Sequence, residues 1–175
     1  MRIVEQAIVI QAPAEQVFAY TDDIRNMGFH MSEKSSMPMM GSKLKLEILT
    51  PQPTGVGATY RYSGKMMGLT IDFSETVTKY VPNREKIWHT IGEPKLIIMS
   101  GYEMRTTVEP LSPDSSRLRI SIAYDLPASG FWNFVGVLLG DWYSRWCLRQ
   151  MTEGTRQALA AQAATGGQIA PPRAA

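Results

Sequence analysis

Glu75 lies on the same parity as Leu69, Ile71, Phe73 and Val77, so a strand through this segment turns one carboxyl to the side that holds the apolar groups. An unpaired carboxylate there must find water, a partner or a ligand, or else take up a proton. A bulge that swings it to solvent, or neutralisation by Arg61 or Arg105, would remove that chemistry. His89 is a second candidate: an imidazole titrates near neutrality and can act as a general base, though a strand histidine equally serves as a hydrogen-bonded wall residue. Ser100, beside Gly101, offers a hydroxyl, but nothing in the sequence supplies its base. Cys147, the single cysteine, sits among Trp146, Leu148 and Met151 and reads as a buried hydrophobe, with only Arg145 and Arg149 to favour a thiolate.

Other chemistries lack their residues. His30, His89 and Cys147 are far apart, so a structural zinc is not expected and no metal site is assigned. Gly55-Val56-Gly57 leads into a strand and not a helix, which removes dinucleotide and P-loop readings, and no Gly-x-Ser-x-Gly elbow occurs. No cofactor is expected. A net charge of +2 with dispersed Lys and Arg gives no footprint for nucleic acid. Met1 to Pro13 has neither the basic flank nor the apolar stretch of a secretion signal, so cytoplasmic residence is expected. The most apolar run, Phe131 to Leu139, has about half the length of a membrane span.

These residues must be positioned by a strand-rich frame. Val4, Ile8 and Ile10 share a parity, and Ala12-Pro13 stops that strand and prepares a helix whose start Glu15 favours. Val17, Phe18 and Tyr20 form its apolar side, and Asp22-Asp23 ends it before a second short helix over Ile24 to Phe29. Met31, Met37, Met39 and Met40, spaced by Ser, Pro and Gly, mark a loop over 31–42 that could cover a binding site, because thioethers adapt to varied apolar shapes. Strands follow over 43–50, 58–66, 69–80, 85–92, 96–108 and 118–126, with turns at Pro51-Gln52-Pro53-Thr54-Gly55, Val81-Pro82-Asn83-Arg84 and 110–116. In 85–92 either Ile87, His89 and Ile91 or Lys86, Trp88 and Thr90 face inward; the Ile set is the more apolar and is preferred. One-sided alternation of this kind marks an antiparallel sheet with one solvated face. Ser129 is the expected N-cap of a long last helix, with Trp142, Trp146, Met151, Thr155 and Leu159 as its inward stripe and a bend or delayed start at Gly136 and Gly140. The chain divides into one domain, 1–164, and a disordered tail, 165–175.

The order strand, two short helices, six-strand meander and long helix resembles the superfamily of START domains, birch-pollen-allergen-like proteins and polyketide cyclases, abbreviated SRPBCC. The residues that carry the resemblance are Ile8-Val9-Ile10-Gln11-Ala12-Pro13-Ala14-Glu15-Gln16-Val17-Phe18, the Gly55-Val56-Gly57 turn, Glu75 to Pro82, and the helix Arg145 to Leu159. Where many relatives carry a Trp after the first helix, this chain has Met27-Gly28-Phe29-His30. The resemblance implies an α+β helix-grip fold, a curved seven-stranded antiparallel sheet wrapped around the long C-terminal helix, with a deep cavity between them.

The expected cavity lining mixes apolar and polar groups: Tyr60, Tyr62, Phe73, Glu75, His89, Ile98, Ser100, Tyr102, Met104, Ile120, Tyr124, Trp142 and Trp146. Binding of a lipid, quinone or polyketide-like molecule is the leading expectation. A cyclase, dehydratase or hydrolase using Glu75 or His89 as acid/base is the alternative. A third reading is a protein- or membrane-interaction module in which Phe131, Trp132, Phe134, Val137 and Leu138 form an exposed patch. A monomer and a homodimer are equally compatible with the sequence.

Overall fold

The computed structural model describes residues 1–28, 43–66, 68–128 and 130–165. The 31–42 loop, Phe29, His30, Ser129, the Trp132 side chain and the tail beyond Thr165 lie outside the described residues, and so do the lid and disorder expectations attached to them.

The elements run β1 (Arg2–Ile10), α1 (Ala14–Asp22), α2 (Ile24–Met27), β2 (Lys43–Ile48), β3 (Thr59–Met66), β4 (Leu69–Val81), β5 (Glu85–Lys95), β6 (Gly101–Ser112), β7 (Ser115–Asp125) and α3 (Phe131–Ala164). All seven strands form one antiparallel sheet in the order β1-β7-β6-β5-β4-β3-β2. Its inner face is closed by α1, α2 and α3, which is the helix-grip architecture.

Local chemistry sets the junctions. Pro13 holds φ −57° and its carbonyl accepts from the backbone N–H groups of Gln16 and Val17, so the ring stops β1 and starts α1 in one residue. Asp23 caps α2 by accepting from the Arg25 backbone N–H at 2.9 Å. Asn83 takes φ +60° in the β4–β5 turn, a left-handed conformation that asparagine tolerates. Two register shifts in β4, at 72/74 and 77/79, bend the strand on either side of Glu75 without turning Glu75 outward.

Helix α3 is unbroken across Gly136 and Gly140 and follows Gly130 at φ +83°, one residue after the expected cap. Neither glycine interrupts it. A Cβ on Gly136 would stand 2.6 Å from the Ile98 carbonyl oxygen, and one on Gly140 would stand 2.7 Å from the Tyr124 hydroxyl. Their absent side chains let the helix lie close to the 96–100 connection and to β7. The buried side of α3 is Gly136, Gly140, Ser144, Leu148, Thr152, Thr155 and Leu159; of the expected stripe, Thr155 and Leu159 lie on it and Met151 is half-buried, while the placing of Trp142 and Trp146 is corrected. Bulky indoles would hold the helix off the sheet, and Trp142 is 59% exposed.

Two strand readings are corrected. In β5 Lys86 and Trp88 are buried, as is Glu85 at the strand's start, while Ile87 and His89 face outward. Lys86 can take an inner position because its ammonium donates to the Asp22 carboxylate at 3.0 Å and to the Asp22 carbonyl at 2.7 Å, and stands 5.5 Å from the centres of the Tyr60 and Trp88 rings. The strand expected from residue 96 begins at Gly101, and 96–100 is an irregular connection.

Candidate functional site

One end of the space between sheet and helices is filled: Val17, Phe18, Tyr60, Leu118 and Ile120 are buried there with the Lys86–Asp22 pair. The other end holds a cavity of about 430 Å³. Its floor is the sheet, with Ile71, Phe73 and Glu75 from β4, Trp88 from β5, Tyr102 and Met104 from β6 and Ile122 from β7. Its roof is α3, through Val135, Leu139, Trp142, Tyr143, Cys147, Leu148 and Met151. Ile24, Met27 and Gly28 close one side, and Leu96, Ile97, Ile98 and Met99 close another. Four successive apolar residues reach the same space because that segment is not a strand and its side chains do not alternate.

Glu75 is the one carboxyl in this lining, and no Lys, Arg or His lines it among the described residues. It is 2% exposed. The Tyr102 hydroxyl donates to Oε1 in a very short hydrogen bond, while Oε2 makes no hydrogen bond of ordinary geometry. Burial pushes the carboxyl from 4.5 up to about 7, against the opposing pull of the Tyr102 hydroxyl, the Trp88 indole and the charge of Lys86. The two arginines that could have neutralised it are engaged elsewhere. Arg61 grips Asp72 on the outer face at 2.9 and 2.8 Å, and Arg105 pairs with Glu85 at 2.5 Å. A carboxyl that titrates at neutrality in an apolar chamber can accept or donate one proton or hydrogen bond.

Of the sequence-derived candidates, Phe73, Glu75, Ile98, Tyr102, Met104 and Trp142 meet at the cavity. Tyr62 lies one layer back, stacked on Phe73 with ring centres 5.1 Å apart. A Cβ on Gly28 would collide with the Tyr62 hydroxyl, so the glycine makes room for this ring. Tyr60 belongs to the filled end and donates to the Pro53 carbonyl at 2.5 Å. Ile120 is buried in that end as well. Tyr124 donates to Asp141 at 2.5 Å beneath α3, and Trp146 packs half-buried beside the core. Ser100 is exposed and donates to the Leu126 carbonyl at 3.2 Å.

His89 stands on the outer face between Thr76 and Glu103, so it cannot act on anything held inside. Cys147 does face the cavity, where burial pushes its thiol up to about 12, far from a reactive thiolate.

Trp88 was within reach of the sequence as the alternative parity of its strand. The run Leu96-Ile97-Ile98-Met99 carried its own signal, since unbroken apolar residues do not fit a strand with one wet face. Phe131, Phe134, Val137 and Leu138 are exposed at the start of α3, beside the cavity wall. Among the described residues there is no cluster of metal-ligating side chains, and no helix is long and apolar enough to cross a membrane.

A curved sheet gripping a helix over an apolar chamber defines a class of proteins built around an internal binding space. The chain belongs to the family described as polyketide cyclase/dehydrase and lipid transport, which matches residues 1–159. Its fold is similar to that of a START superfamily protein from Mycobacterium smegmatis, at 19% identity and a TM-score of 0.59, over 90% of this chain and 98% of that one. The Zhui aromatase/cyclase from Streptomyces sp. R1128 matches at 18% identity and 0.60, over 95% and 98% of the two chains. Norcoclaurine synthase from Thalictrum flavum matches at 15% and 0.63, over 93% and 96%. At such identities the likeness concerns the fold. No curated protein matches this chain by sequence.

Proposed function

We propose that this protein binds one hydrophobic or amphipathic small molecule in the chamber between the sheet and α3. The observation that carries the reading is the chamber itself: about 430 Å³ walled by aliphatic, thioether and aromatic groups, with a single carboxyl–phenol pair inside. Space of this size and lining fits the ordinary dimensions of a small-molecule site. Apolar walls around an unfilled space lack contact partners that a ligand can supply, and each buried methylene contributes about 0.8 kcal/mol. Trp88 and Trp142 both line it, so occupancy is read directly by their fluorescence. Titration with lipids, quinones and polyphenols should give a saturable change with at least one class, and a flat response to all of them would overturn the reading.

A second reading is acid/base catalysis on a polyketide-like substrate in the same chamber, favoured by a carboxyl that titrates at about 7. General acid/base groups work best with a pKa near the working pH. In that case Glu75→Gln abolishes turnover while ligand affinity persists, and unchanged turnover removes the idea.

A further inference from the structure

The carboxyl of Glu75 has one oxygen answered by Tyr102, and the other has no hydrogen bond of ordinary geometry, with the Trp88 indole also pulling on the carboxyl. Oε1 accepts from Tyr102, whereas Oε2 is buried without a hydrogen bond of ordinary geometry in a chamber that contains Glu75. An open acceptor of this kind is a strong demand on whatever fills the space, because a buried polar atom left unpaired is costly. Among the described residues, the nearest cation cannot meet an incoming anion. Lys86 is spent on the side chain and carbonyl of Asp22, and it does not line the chamber. A ligand carboxylate or phosphate that reached Glu75 would therefore meet a second carboxyl with no countercharge among the described residues. An ammonium head would have to shed its water among apolar walls and would be served only while Glu75 is ionised. A hydroxyl head donates to Oε2 when Glu75 is ionised, and can accept from the carboxyl when it is protonated.

Resting on the binding reading above, we propose that Glu75 and Tyr102 form the polar terminus of the chamber and select an uncharged ligand that presents a hydrogen-bond-donating hydroxyl at its buried end, while excluding anionic heads.

The test compares four ten-carbon probes at pH 8, followed by tryptophan fluorescence and isothermal calorimetry: 1-decanol, decanoate, decylammonium and decyl methyl ether, the last lacking the O–H donor. Decanol should bind at least tenfold more tightly than decanoate and the ether, and no less tightly than decylammonium. In Glu75→Leu the preference should collapse to within about threefold, with far-UV circular dichroism and melting verifying the fold. Glu75→Gln, which keeps a carbonyl acceptor, should retain most of it. Equal binding of the ether or decanoate, tighter binding of decylammonium, or an undiminished preference in Glu75→Leu would overturn the head-group proposal alone and leave the chamber reading standing. Failure of all four probes to bind would overturn both.

Discussion

Asp22, at the end of α1, and Glu75, on β4, are both removed from water inside the same sheet, and their surroundings differ in kind. Each Asp22 oxygen has a partner: Oδ1 takes the Lys86 ammonium at 3.0 Å and Oδ2 takes the Tyr80 hydroxyl at 2.8 Å. Glu75 has one hydroxyl on one oxygen and no cation in contact. The paired carboxylate sits where side chains fill the space, and the half-paired one where they leave a chamber. The difference separates a charge that locks one helix to the sheet from a carboxyl that the surrounding side chains leave half-paired.

The largest effect should come from breaking the locked pair. Lys86→Met leaves the Asp22 carboxylate buried without its cation, and should lower unfolding free energy by about 3–5 kcal/mol in urea titration. Asp22→Leu combined with Lys86→Met should recover part of that loss, because no lone charge then remains inside. Full additivity of the two changes would show that they do not act as a pair.

A gentler comparison uses two isoleucines on one face of β7. Ile120 is fully buried in the filled end, and Ile122 lines the chamber. Ile120→Ala should cost about 4 kcal/mol and Ile122→Ala about 2, since the second side chain already lacks neighbours on its chamber side. Equal costs would mean that the chamber is filled in solution, and addition of a tight ligand should widen the Ile122→Ala penalty.

Glu75 itself gives a pH signature. Its folded-state pKa of about 7 lies above the ordinary 4.5, so the folded protein holds a proton that the unfolded chain has lost. The stability this provides is complete below about pH 4.5, declines through the window up to about pH 7, and levels off above it. Glu75→Gln should flatten that decline, matching the wild type near pH 4 and exceeding it by up to about 3 kcal/mol at pH 8. Parallel pH profiles of the two proteins would show that Glu75 is not desolvated.

Much of this arrangement was legible in the residues, and the failures share a cause. The turn at Ala12-Pro13, the alternation of β4 and the inward carboxyl of Glu75 follow from period-two patterning and proline geometry, both of which act locally. Lys86 went to the wrong face because its inward position depends on Asp22, 64 residues away in sequence, and an ammonium looks like a solvent-facing group until its partner is known. The two indoles of the α3 stripe were misplaced for a related reason, whereas Thr155 and Leu159 are buried as expected. The spacing of large apolar groups favours the indoles, yet the helix presses on Tyr124 and the Ile98 carbonyl through Gly136 and Gly140, and closeness of approach leaves no trace in a pattern that records only apolarity. The 96–99 wall misled by continuing the rhythm of the strand after it, although four consecutive apolar residues had already broken the alternation.

The smallest effect sharpens the comparison most, because one atom is removed from each carboxylate's surroundings. Tyr80→Phe takes a hydroxyl from Asp22, and with Lys86 still in place it should cost about 1 kcal/mol, the usual worth of one hydrogen bond. Tyr102→Phe takes the hydroxyl that favours the ionised form of Glu75. Loss of that donor leaves the Trp88 indole as the remaining hydrogen-bonding pull on the carboxyl, raises the carboxyl further above about 7, and moves the upper edge of the stability decline to higher pH. Carbon-13 NMR of the Glu75 carboxyl should show the midpoint rising in Tyr102→Phe and unmoved in Tyr80→Phe. A midpoint that stays put in both variants would mean that Tyr102 does not bond Glu75 in solution, and the polar terminus of the chamber would then be a lone carboxyl.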